Sequence, residues 1–138
     1  MASPVYNLVV ACSNIFGLPV ILAATIFQDQ LLVSMVVLAS VLMHLSERKH
    51  DLPGVHPFSR WNSAFLNLDR VVAVLVFVAC LNRITLDLVT KNISVILVGI
   101  ASVIISETVE VCPVFFSAWH ILWHACVYRM LYVLVSQQ

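Results

Sequence analysis

Two pairs of polar side chains recur at a spacing of four inside stretches that are otherwise apolar: Ser40 with His44, and His120 with His124. On a helix that spacing puts both members on one face, one turn apart. Asp69 stands in a largely apolar run between the two pairs. A polar or ionisable group inside a membrane segment costs on the order of 2.5–3.5 kcal/mol on insertion scales, so each of the five demands a reason. Three neutral imidazoles, His44, His120 and His124, leave one coordination position open, which is the arrangement of a catalytic zinc rather than a closed structural one. Zinc would lower the pKa of bound water to about 7. Asp69 would then orient a ligand from behind or take the proton of the water, and Ser40 would hold the water or stabilise developing negative charge. Singly, each residue has a plainer use. A membrane histidine bonds between helices, a membrane serine bonds back to its own helix, and Asp69, beside Arg70 near a helix start, caps or pairs. The pair His120 and His124 resists the plain reading, because two titratable groups one turn apart in an apolar helix are costly unless something uses both.

The elements that must position these residues follow from composition. Of 138 residues, 62% are hydrophobic and only 10% charged, against the roughly 25% charged of a soluble domain. An ordinary soluble globule is excluded. Seven Lys and Arg balance seven Asp and Glu, so there is no basic surplus for nucleic acid, and the partner implied is lipid. Five apolar segments emerge, at 5–27, 31–46, 63–82, 92–109 and 113–135. They predict an all-α, multi-pass integral membrane bundle of about five transmembrane helices, a single domain over residues 1–138 with no room for a separate soluble one.

The first segment is too long for a signal-peptide core and has no Lys or Arg before it, so it reads as a retained helix interrupted at Gly17 and Pro19. Gln28-Asp29-Gln30 reads as the turn of a hairpin, and the stretch from Glu47 through Pro53-Gly54 to Asn62 as a solvated surface loop. Asp87 and Lys91 stand four apart and suit an ion pair. Glu107, Glu110 and Pro113 close the fourth segment and open the fifth. The four cysteines, never in a C-x-x-C spacing, read as small buried hydrophobes. Trp61, Trp119, Trp123 and Tyr128 suit an interfacial belt or helix packing, and Arg129 reads as snorkelling or pairing with an acid.

Depth sharpens the site. His44 lies toward the end of the second segment, Asp69 toward the start of the third, and His120 and His124 in the first half of the fifth. With alternating crossings these positions fall on one side of the bilayer, whichever way the chain is inserted. Arg48, Lys49 and Arg60 in the second loop outnumber Arg83 and Lys91 in the third, which orients the amino terminus toward the cytoplasm. Glu47, His50 and His56 would lie just above the histidines, as a solvated loop or a polar vestibule, and Glu107 and Glu110 at the membrane surface on the same side, ending a helix or holding a headgroup or cation.

Taken together, the five residues resemble the signature of the CREST superfamily of membrane hydrolases, which includes the alkaline ceramidases, the adiponectin and progestin receptors and the myomaker-like proteins. That signature is Ser-x-x-x-His on the second helix, Asp on the third and His-x-x-x-His on the last. Here it stands as Ser40-Val41-Leu42-Met43-His44, Asp69, and His120-Ile121-Leu122-Trp123-His124. The resemblance implies a zinc held by His44, His120 and His124, with Ser40 and Asp69 near the metal-bound water, and hydrolysis of the amide of a sphingolipid or a related membrane lipid. The family is built of seven helices and this chain has five apolar segments, so the rest of the enclosing bundle is either missing or supplied by another subunit, as in a homo-oligomer. The acidic amino-terminal cluster with which alkaline ceramidases bind calcium has no counterpart here. Two other classes stand beside this one: a b-type haem electron-transfer protein with axial histidines on facing helices, and a non-catalytic membrane interaction protein.

Overall fold

The computed structural model describes residues 3–109 and 112–137, and among these there is no strand. Seven helices follow in order: α1 (Val5–Cys12), α2 (Leu18–Ala23), α3 (Phe27–Ser46), α4 (Asn62–Cys80), α5 (Leu86–Lys91), α6 (Ile93–Thr108) and α7 (Pro113–Val135). A 3₁₀ turn over Ser13–Gly17 joins α1 to α2, so the two run as one interrupted rod. Pro19 opens α2 in its first turn, where a missing N–H costs no helical bond. The all-helical class is as expected, and each of the five apolar segments carries a helix. Three stretches, Val5–Ala23, Phe27–Ser46 and Phe58–Arg83, are long and apolar enough to cross a membrane. The apolar α6 has only 16 residues, and α7, with 23, carries His120, His124 and Arg129. Outward faces are apolar in keeping with a lipid environment: Leu22, Phe27, Val74 and Val78 are all exposed.

Two boundaries differ from expectation. The first hairpin turns at 24–26, and the Gln28-Asp29-Gln30 cluster lies in the first turn of α3. These polar residues serve the helix start. The amide of Gln30 donates to the Ala24 carbonyl at 2.8 Å, while Asp29, only 4% exposed, accepts both arms of the Arg83 guanidinium, at 2.8 and 3.1 Å. A carboxylate is favoured at a helix amino terminus and a buried one needs a cation, and Asp29 meets both conditions. The stretch expected to be a solvated loop after α3 instead folds back over the end of the bundle. The Val55 N–H donates to the Leu45 carbonyl at 2.7 Å, and Leu52 is buried with Val10 and Phe116. The turn uses left-handed backbone at His50 and Asp51, with φ of 56° and 60°, an uncommon conformation for side-chain-bearing residues.

Small residues set the close helix contacts. Gly99, Ser102 and Ser106 are the buried residues of α6, and they let α6 lie against α7, where a Cβ on Gly99 would come within 3.0 Å of Cys126. Gly17 is tighter still: a Cβ there would fall 2.4 Å from Val37 and 2.9 Å from Tyr128, so the interrupted first rod nests into both α3 and α7. α3 packs on α4 and α1. A core of Val20, Val33, Val72, Val76, Leu131 and Leu134 fills the half of the bundle away from the histidines. Of the cysteines, Cys80 and Cys126 are buried as expected, whereas Cys12 and Cys112 are exposed. The pair Asp87 and Lys91 forms across one turn of α5 at 2.8 Å. Arg129 and Trp61 face outward, and Glu110 lies outside the described residues.

Arg83→Met strands the Asp29 carboxylate without its cation. Removing one partner of a buried pair costs about 3–5 kcal/mol, and the partial exposure of Arg83 puts the expectation near the bottom of that range. Thermal unfolding in detergent should show a large drop for Arg83→Met and a smaller one for Asp29→Asn, which removes the buried charge itself.

Candidate metal centre

The buried stripe of α7 runs Phe116, His120, His124, Tyr128 at a spacing of four, and that of α3 includes Ser40 and His44. Where the stripes face each other, the three imidazoles meet. One ring nitrogen from each of His44, His120 and His124 lies within 4.8 Å of the others, and all three side chains are buried, at 0%, 5% and 5% exposure. The rings touch edge to face, with centroids 4.6 Å apart for His44 and His120, 5.1 Å for His44 and His124, and 5.0 Å for His120 and His124.

In each ring Nδ1 is matched to an oxygen. His44 Nδ1 lies 2.9 Å from Glu47 Oε2, His124 Nδ1 lies 2.6 Å from Ser13 Oγ, and His120 Nδ1 lies 3.3 Å from Ser106 Oγ. The serine protons are already committed, since Ser13 donates to the Val10 carbonyl and Ser106 to the Val103 carbonyl. Each serine oxygen therefore accepts from Nδ1–H, and the Glu47 carboxylate, when ionised, does the same for His44. That tautomer leaves the lone pair of all three rings on Nε2. Of these atoms, His44 Nε2 is buried with no protein partner, and His124 Nε2 has only the Ser40 hydroxyl, 3.4 Å away. A buried acceptor left unmatched costs about 1–3 kcal/mol. The donor set, nitrogen with oxygen behind each ring, is that of a histidine-ligated metal site, in which the second ring nitrogen donates outward to fix tautomer and orientation.

Glu47 ends α3 and is 7% exposed. Burial pushes its carboxyl up to about 7, against the opposing influence of nearby His120. The end of α3 is held by Asn7, whose side-chain amide donates to the carbonyls of His44 at 2.8 Å and Glu47 at 2.9 Å. Tyr128, one turn beyond His124, donates to Asn14 at 2.6 Å and ties α7 to the 3₁₀ turn that carries Ser13. Ser40 faces the cluster as expected. Asp69 is half-buried on α4 and is not part of the converging ligand set; it stands within electrostatic reach of Glu47.

Sequence reasoning did not find Ser13, Ser106 and Asn7, and read Glu47 as part of a solvated loop or of a polar vestibule. A signal was present: Asn7, Ser13 and Asn14 are polar residues in an apolar first segment, and Ser102 and Ser106 repeat the spacing of four seen in the histidines. Compared with known proteins, the chain matches no family model, no curated protein sequence and no solved structure.

Asn7→Leu preserves much of the shape and removes both amide donors. It should cost about 1–3 kcal/mol by leaving buried carbonyls at the end of α3 unpaired, seen as a lowered unfolding midpoint in detergent with helical content unchanged.

Proposed function

We propose that the chain is a zinc-dependent integral-membrane hydrolase of a lipid amide or ester, built on a five-helix bundle, with a site of the CREST type. The observation that carries this reading is the set of three buried imidazoles whose Nδ1 atoms are each matched to an oxygen, with His44 Nε2 buried and unpartnered and His124 Nε2 facing only the Ser40 hydroxyl. Zinc, when bound, supplies the Lewis acidity that makes water a nucleophile at neutral pH and polarises a carbonyl. His44, His120 and His124 hold it through Nε2, and Glu47, Ser106 and Ser13 keep each ring in the ligating tautomer. Ser40 Oγ, 3.4 Å from His124 Nε2, directs its hydroxyl toward the same space, where it suits holding the attacking water or the oxyanion of a tetrahedral intermediate. Asp69 takes the role of proton acceptor on the α4 side.

The lipid character of the substrate is supported by a lateral cleft of about 450 Å³, lined by apolar side chains that include Val76, Phe77, Leu88, Ile96, Trp123 and Met130. A cleft of that size and composition suits an acyl chain, and it lies in the apolar half of the bundle, with none of the three histidines in its lining. The haem reading fits less well. Axial ligands must stand on opposite faces of a macrocycle, and rings with centroids 4.6–5.1 Å apart leave no room for one between them.

Metal analysis of detergent-purified protein, paired with hydrolysis assays on short-chain lipid amides and esters, tests the reading. His44→Ala, His120→Ala and His124→Ala should each lose zinc and turnover. Ser40→Ala should keep zinc and lose about 100-fold or more in turnover, and Asp69→Asn should keep zinc with reduced turnover. Ser13→Ala and Ser106→Ala should weaken zinc binding by about 10–100-fold. If His120→Ala leaves both metal content and hydrolysis unchanged, the histidines are structural and the chain is a non-catalytic interaction protein.

A further inference from the structure

A second group of ligand-type side chains lies beside the histidine cluster. Glu47, His50 and Glu107 each offer one atom within 4.8 Å of the others. They come from three separate places: the end of α3, the folded-back turn, and the last turn of α6. His50 is held by stacking on the buried ring of Phe116, with centroids 4.4 Å apart and planes 20° from parallel. Both of its ring nitrogens are inaccessible to water and have no protein partner. One of the two carries a lone pair that a cation could take, and the protein itself supplies no partner for it. His50 and Asp51 carry left-handed backbone in the turn that places this ring over Phe116.

The two carboxylates each divide their attention. Glu47 bonds His44 through Oε2, which leaves Oε1 available. Glu107 approaches His120 Nδ1 through Oε1, at 3.9 Å, and meets the Lys49 ammonium through Oε2. Lys49 is the one cation paired with this group among the described residues, and its side chain is 53% exposed, so it is free to leave.

We infer that Glu47, His50 and Glu107 form a second divalent-cation site, distinct from the three histidines and sharing its carboxylates with them. One imidazole nitrogen and two carboxylate oxygens favour the borderline Zn²⁺ or the harder Mn²⁺ over soft ions that seek thiolates. The Lys49 ammonium occupies the site as a tethered competitor and swings into solvent when the ion enters. The bound ion clamps the folded-back turn to the ends of α3 and α6. The site does not depend on the hydrolase reading, since none of the three histidines of the first cluster is among its ligands.

Zinc or manganese titration of the detergent-purified full chain, with metal content per chain measured after desalting, is the test. The wild type should bind two ions. His50→Ala and the near-isosteric Glu107→Gln should each bind one, and His120→Ala should lose the other. Lys49→Met should tighten the site formed with His50 by about two- to fivefold, the scale of one exposed ion pair. A wild type that binds a single ion lost in His120→Ala and kept in His50→Ala and Glu107→Gln overturns this inference and leaves the triad reading standing. A single ion lost in His50→Ala and Glu107→Gln but kept in His120→Ala does the reverse. Loss of both ions from His50→Ala and Glu107→Gln alike would mean one merged site, and would also overturn it.

Discussion

An imidazole buried among apolar helices is tolerable only when its N–H has an acceptor, and the bundle is arranged around that demand three times over. The acceptors come from three different elements: Ser13 on the turn between α1 and α2, Glu47 at the end of α3, and Ser106 on α6. Each serine can accept because its own proton is spent on a carbonyl of its own helix. The helix contacts are then largely consequences. Gly17 is a glycine because the Ser13 turn must approach both α3 and α7, and the buried residues of α6 are all small, Gly99, Ser102 and Ser106, which lets Ser106 reach His120.

The ion pairs fall at the two ends of the bundle. Asp29 and Arg83 join the start of α3 to the end of α4 at one end, while Glu47, Lys49 and Glu107 gather at the other with the histidines just beneath. Between them lies the apolar core of Val20, Val33, Val76 and Leu131. These paired charges therefore stand clear of the apolar core, where they would be most costly, while Asp69, Arg70 and Arg129 lie within α4 and α7.

Much of this arrangement is legible in the sequence, for reasons tied to particular residues. The spacing of four in Ser40 and His44 and in His120 and His124 specifies a shared helix face whatever else the fold does, and alternation of the segments brings those faces to one depth. What escapes is the identity of the partners. Nothing local marks Ser13 or Ser106 as an imidazole acceptor, since a serine bonding back to its own helix looks the same in sequence. Glu47 stands in a run of charges that reads as solvated, and only Leu52, packed against Val10 and Phe116, folds that run over the site. Asp29 misleads in the same way, because a buried acid with a cation 54 residues away looks like a turn. Asp69, singled out for its position, lies on α4 apart from the converging nitrogens.

The bond between Ser13 and His124 spans 111 residues, nearly the whole distance from the first rod to the last helix. Synthesis runs from one end of the chain to the other, so the rod waits with its acceptor unsatisfied until α7 arrives. Contacts of such long sequence separation form late. The histidine cluster thus exists only once α7 has been made: no nascent chain short of α7 can gather the three rings.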